Sequence, residues 1–189
     1  MATLRYISHP QVVVDPTVPV SRWGLSEEGK QRVQQLCQQP WMSDVRRVVS
    51  SAETKALEVA AAVAQTLGLT VEVRPKTGET DRSSTGYVPH DRHEQLADEF
   101  FALPHVSVQG WERAVDVQAR MINALADLLT STHGVVVVGH GAAGTLWYCA
   151  VAGLDIDRSH DQRSTGNYFA IDLATGKPMH PWQPIDQRA

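Results

Sequence analysis

Apolar and polar positions follow two rhythms along the chain. Short apolar runs of strand length fall at residues 3–8 (TLRYIS), at 45–49, at 71–74 (VEVR), at 135–139 and, after Gly166, in NYFAIDL. Between them, apolar residues recur every three or four positions, the spacing of a helix with one buried face. Val33, Leu36 and Cys37 mark a helix that Ser26 can cap and Pro40 stops. Leu57, Ala60, Ala61, Ala64 and Leu67 mark a second, from Glu53 to Leu67, closed by Gly68. Leu96, Phe100 and Phe101 anchor a short helix over 91–102, and Val115, Ala119, Ile122, Ala126 and Leu129 form a stripe on a longer one from Trp111 to Leu129. A last helix starts at Gly141 and carries Leu146, Trp147 and Val151. Val135–Val138 is uninterrupted by polar residues, as expected of a strand covered on both faces. The alternation predicts one α/β domain over residues 1–189, a three-layer α/β/α sandwich around a mainly parallel sheet.

The breaks in this rhythm are informative too. Pro10 cannot continue a central strand, so His9 stands at a strand tip. Residues 11–24 hold Pro16, Pro19 and Gly24 and read as an ordered loop. The tract from Pro75 to Pro89 is rich in Gly, Ser, Thr and Pro; a loop of this length in a compact domain points to a lid or binding role, and 75–110 is the expected specificity segment. Composition adds exclusions. With 42% hydrophobic and 20% charged residues the chain is globular, and a net charge of −4 offers no general attraction for nucleic acid or an anionic membrane. Cys37 and Cys149 lie in apolar helical patterns and read as small buried hydrophobes. Neither a signal-peptide core nor a membrane-spanning run is visible, which makes the cytoplasm the expected compartment.

The chemistry gathers at strand ends. In VVVVGHGAAG, Gly139, Gly141 and Gly144 match a dinucleotide fingerprint, but fewer than fifty residues follow, too few for the rest of such a fold. His140 is the better clue, because it ends a central strand just before a helix N-terminus, which favours anions. His9 ends the first strand, Ser50-Ser51-Ala52-Glu53-Thr54-Lys55 ends the second, and Gly78-Glu79-Thr80-Asp81-Arg82 follows the third. All four belong at the carboxyl edge of one sheet, where α/β proteins bind ligands. His90 and His93 share a helical face, but no Cys or acid completes a metal-binding spacing, so no metal is expected. The polar His160-Asp161-Gln162-Arg163 reads as an ordinary loop, with a place at the pocket rim as the alternative.

These four stretches together resemble the histidine phosphatase superfamily, also called phosphoglycerate-mutase-like. Ser8-His9-Pro10 stands where that family has Arg-His-Gly, and Leu25-Ser26-Glu27-Glu28-Gly29 where it has a Leu-Thr-x-x-Gly helix start. SSAETKALEVA corresponds to its serine-ended strand and following helix, with Lys55 at an arginine position, and VVGHGAAG to its second histidine. The resemblance implies a metal-independent phosphatase acting on a small phosphate monoester and needing no cofactor. His9 would be the nucleophile that becomes phosphohistidine and Glu79 the proton donor, while His140, Lys55 and Ser51 hold the phosphate. Ser8 and Lys55 replace both family arginines; a lost charged hydrogen bond of about 1.5–3 kcal/mol weakens catalysis by roughly ten- to a hundredfold. Arg22 and Arg82 are the candidates to supply the missing charge. The alternative implied by the same departures is a weakened or inactive member that binds a phosphorylated ligand or partner without turnover.

Overall fold

The computed structural model describes residues 2–187. Among these residues six strands form one sheet: β1 (Thr3–Ser8), β2 (Val45–Ser50), β3 (Val71–Val73), β4 (Gly134–Gly139), β5 (Asn167–Asp172) and β6 (Lys177–Pro184), in the order β3-β2-β4-β1-β5-β6. The first four run parallel, β5 lies antiparallel to β1, and β6 lies antiparallel to β5. Five α-helices among the described residues cover it: α1 (Glu27–Leu36), α2 (Thr54–Leu67), α3 (His90–Ala102), α4 (Ala114–Leu125) and α5 (Gly141–Ala152).

The valine run of β4 divides its side chains between two cores. Val136 and Val138 pack with Ile7, Val48 and residues of α1 and α2, whereas Val135 and Val137 pack with Leu4, Tyr6 and residues of α3, α4 and α5. Both faces of the sheet are therefore covered, as the unbroken run requires. Ser26 caps α1 as expected, its Oγ accepting from the Gly29 N–H at 3.1 Å. Gly29 is needed there because a Cβ would lie 2.2 Å from the carbonyl oxygen of Gln11.

Two helices present a different stripe from the one expected. α4 starts at Ala114 and buries Ala114, Val117, Met121 and Leu125, while Ile122 is 42% exposed. Its sequence carries two adjoining apolar rows, and packing against α5 selects the row with Met121. In α2 the buried row is Ala56, Val59, Ala60, Val63 and Ala64, with Ala61 exposed; the small side chains let this helix lie close to the sheet. The expected fourth residue of β3, Arg74, lies beyond the strand and donates instead to Asp127 on the turn after α4. At the opposite edge, β6 contains Pro178, Pro181 and Pro184, residues that only an edge strand accommodates.

Candidate active site

β1 and β4 are parallel neighbours in which Ser8 pairs with Gly139, and the ladder extends one step further as the His9 N–H donates to the Gly139 carbonyl at 3.1 Å. His9 and His140 therefore leave the sheet side by side, with ring centroids 5.4 Å apart. Beyond them the chain departs to opposite faces, toward α1 after β1 and into α5 after β4, which opens a crevice at the sheet edge. On the other side of β4, the Ser51 N–H donates to the Val138 carbonyl at 3.1 Å, setting Ser51 beside His140.

The His9 Nδ1 lies 2.8 Å from the Pro10 carbonyl, which can only accept, so Nδ1 carries the proton and Nε2 keeps its lone pair. Burial, reinforced by the neighbouring His140, lowers the His9 pKa to about 3, so the ring is neutral at pH 7. His140 is fully buried; its Nε2 lies 2.8 Å from Ser51 Oγ and 3.3 Å from a Glu53 oxygen, and a carboxylate there requires Nε2–H. Its Nδ1 has no hydrogen-bond partner among the described residues. Burial lowers the His140 pKa, while the carboxylates of Glu53 and Glu79 oppose the shift. Tyr6 fixes the backbone here: its hydroxyl accepts from the His140 N–H at 3.0 Å and lies 3.3 Å from the His140 carbonyl. A Cβ on Gly139 would lie 2.1 Å from the Tyr6 hydroxyl, and one on Gly144 2.3 Å from its ring. Two glycines of the apparent dinucleotide fingerprint thus make room for a tyrosine.

Glu79 lies over the start of α5, one carboxylate oxygen accepting from the N–H groups of Thr80 at 2.9 Å and Ala143 at 3.0 Å. Burial alone would raise its pKa, but His140, Arg82 and these N–H donors outweigh it and hold the carboxyl at about 2. The expected proton donor is therefore an anion at rest. Arg120 on α4 holds the loop beneath it, donating to the carbonyls of Lys76, Gly78 and Glu79 at 2.9 Å each and to both oxygens of Glu112.

The cations expected around the phosphate are distributed differently. Lys55 is 3% exposed, and its Nζ donates to Glu53 at 2.5 Å and to the Val20 carbonyl at 2.9 Å. Its charge is matched by Glu53. Arg22 is exposed on the short turn Val20–Arg22 and is not part of the crevice wall. Arg82 does line the crevice, donating to His93 Nε2 and lying 5.5 Å from the centre of the Trp111 ring. His93 is thereby engaged by a cation, and its pairing with His90 as metal ligands is not realised. Among the described residues no cluster of three or more His, Cys, Asp or Glu side chains could hold a metal ion. Ser51 is buried, with its Oγ 2.8 Å from His140 Nε2.

The crevice has a volume of about 450 Å³ and is lined by His9, Glu79, Arg82, Trp111, Asp161 and Gln162, among others. Of the loop 160–163, Asp161, Gln162 and Arg163 are therefore part of its wall. Burial raises the pKa of Asp161, opposed by the Thr145 hydroxyl, which donates to it at 2.7 Å. Tyr6, Glu53, Arg120 and Gln162 are site residues that spacing did not single out. Glu53 left a trace as an acid two positions before Lys55, and Gln162 as a member of the polar loop 160–163.

Comparison with known proteins agrees with this fold. The model of the histidine phosphatase superfamily (branch 1) matches residues 20–177, a span that begins after Ser8-His9-Pro10. No curated protein matches the chain significantly. Among solved structures, a mycobacterial glucosyl-3-phosphoglycerate phosphatase in complex with inorganic phosphate superimposes with a TM-score of 0.81 at 19% identity, over 99% of this chain and 100% of its own. Entamoeba histolytica phosphoserine phosphatase in complex with 3-phosphoglyceric acid gives 0.78 at 14% identity, over 99% and 100% of the two chains. Bacillus stearothermophilus YhfR gives 0.77 at 20% identity, over 96% and 95%. With a family match across most of its length and the same fold in these proteins, the chain belongs to the histidine phosphatase superfamily, branch 1.

Proposed function

We propose that the protein hydrolyses a small phosphate monoester through a phosphohistidine on His9, without a metal. The observation that carries this reading is the state of His9: a neutral ring at the crevice wall whose Nδ1 is held by the Pro10 carbonyl, leaving the Nε2 lone pair free. Nε2 attacks phosphorus, the bond from phosphorus to the ester oxygen breaks, and the leaving oxygen takes a proton. Glu79 delivers that proton after accepting it from a substrate bound as the monoanion; the added negative charge of the phosphate raises the carboxyl pKa from its resting value. Water then attacks the phosphohistidine and releases inorganic phosphate. The bound anion favours the protonated form of His140, whose Nδ1–H, left without a partner among the described residues, then supports the phosphoryl oxygens together with Arg82.

Turnover of an aryl phosphate, with its loss in His9→Ala and a covalent phosphoryl adduct trapped on His9 at alkaline pH, is the expected result. Absence of turnover across a broad panel of phosphate monoesters overturns the reading. The second reading, a member that binds a phosphorylated ligand or partner without turnover, is favoured by the pairing of Lys55 with Glu53, which removes a cation from the crevice.

A further inference from the structure

Ser8 is buried behind the nucleophile, at a position where the resemblance leads one to expect an arginine, and its hydrogen bonds lead to a residue across the crevice. Its Oγ accepts from the Asn167 N–H at 3.0 Å and donates to Gln162 Oε1 at 2.6 Å. The orientation of the Gln162 amide follows from a chain of contacts. The Ser164 carbonyl can only accept, so the Asn167 side-chain atom facing it is the nitrogen, and that nitrogen also donates to Gln162 at 3.1 Å. The Gln162 atom facing both Asn167 and Ser8 is therefore oxygen. The NH₂ group points away from them, and a Cβ built on Gly141 would lie 2.4 Å from it. It thus lies against the first residue of α5, next to His140, in a crevice that Gln162 and His9 both line. The NH₂ group has no acceptor among the described residues.

We infer that Gln162 is a phosphate-binding residue of this site: its NH₂ group donates to a phosphoryl oxygen held between His9 and His140, and Ser8 is the residue that positions it. This rests on the phosphate-site reading of the crevice. A neutral amide, fixed in direction by two donors on its oxygen, occupies the side of the crevice from which an arginine at position 8 is absent. It adds a directed hydrogen bond without adding charge, which suits a pocket where Glu53 and Glu79 already balance Lys55 and Arg82. Gly141 is glycine because the amide must pass close to its Cα.

Isothermal titration of the protein with inorganic phosphate tests this apart from turnover. Gln162→Met is expected to weaken phosphate binding by about tenfold, the size of one lost hydrogen bond to a charged group. Ser8→Ala weakens it less, and the double variant is no worse than Gln162→Met alone, because Ser8 acts through Gln162. Gln162→Glu retains the oxygen that Ser8 and Asn167 bind, so it keeps the wild-type melting temperature while losing phosphate affinity, a combination that a purely structural role does not give. If Gln162→Met and Gln162→Glu both bind phosphate within twofold of wild type while His140→Ala does not, the inference is overturned and the phosphate-site reading stands. If the wild-type protein has no affinity for phosphate, both are overturned.

Discussion

Lys55 and Glu53 show how a single contact redirects a residue. The Lys55 ammonium lies in the first turn of α2, where the helix dipole disfavours a cation, and the carboxylate two positions earlier compensates for it. Glu53 also accepts from the Glu79 N–H at 2.8 Å and faces His140, so one carboxylate ties three parts of the site together. Glu53→Gln keeps an acceptor for these groups but removes the charge that neutralises Lys55. Phosphate binding is expected to tighten by about tenfold, read by titration calorimetry; unchanged affinity would mean that Lys55 does not face the anion in any state. The histidine pair was legible in the sequence because each follows a strand that ends abruptly, His9 before a proline and His140 between glycines. The engagement of Lys55 was not, because spacing says where a side chain starts and not which neighbour it meets. Gly144 makes a similar point. Its lack of a Cβ is required by the Tyr6 ring and by Trp182, whose nearest atom would lie 2.9 Å away. Gly144→Ala is expected to destabilise the fold by about 1–3 kcal/mol through overpacking, measured by urea unfolding.

At the scale of elements, strands were easier to read than helix faces. β4 could only be central, since it has no polar position to turn toward water. In α4 two apolar rows lie one residue apart, and the choice between them belongs to α5 and the sheet, which the local sequence does not contain. Arg120 occupies a half-buried flank of that helix and grips the backbone that carries Glu79. Its role depends on a loop more than forty residues earlier in the chain, so no local pattern reveals it. Arg120→Met keeps much of the aliphatic stem and removes the donors. The expected outcome is faster amide exchange at residues 76–80 and a loss of about 1–3 kcal/mol in urea unfolding, the cost of a half-buried carboxylate and carbonyls left unpaired. Equal exchange in both proteins would show that the loop is held by something else.

For the whole molecule, the neutral histidines and the ionised Glu79 set the pH response. The folded-state pKa values of His9, about 3, and of His140 lie below the unfolded value of about 6.5. Between those limits the unfolded chain binds more protons, so the contribution to stability is complete above about pH 6.5 and is lost as pH falls toward the folded values. Glu79, at about 2 when folded, adds a further loss below the ordinary glutamate value of about 4.3. The urea midpoint should be lower at pH 5 than at pH 7.5, and His9→Asn should reduce that difference; equal midpoints would contradict a neutral pair. Catalysis should follow the opposite trend. A substrate monoanion loses its second proton with a pKa of about 6, and a pocket with balanced charges favours the monoanion, so kcat/KM for an aryl phosphate is expected to decline above about pH 6.

The two edges of the sheet carry one more consequence. β6 lacks three amide donors because of Pro178, Pro181 and Pro184, and β3 at the far edge offers only Val71–Val73. An incoming strand from another chain would meet gaps in the donor row on one side and too short a template on the other. Nucleation of intermolecular β-structure is thus discouraged at both ends of the sheet, and the yield of refolding should hardly vary with protein concentration.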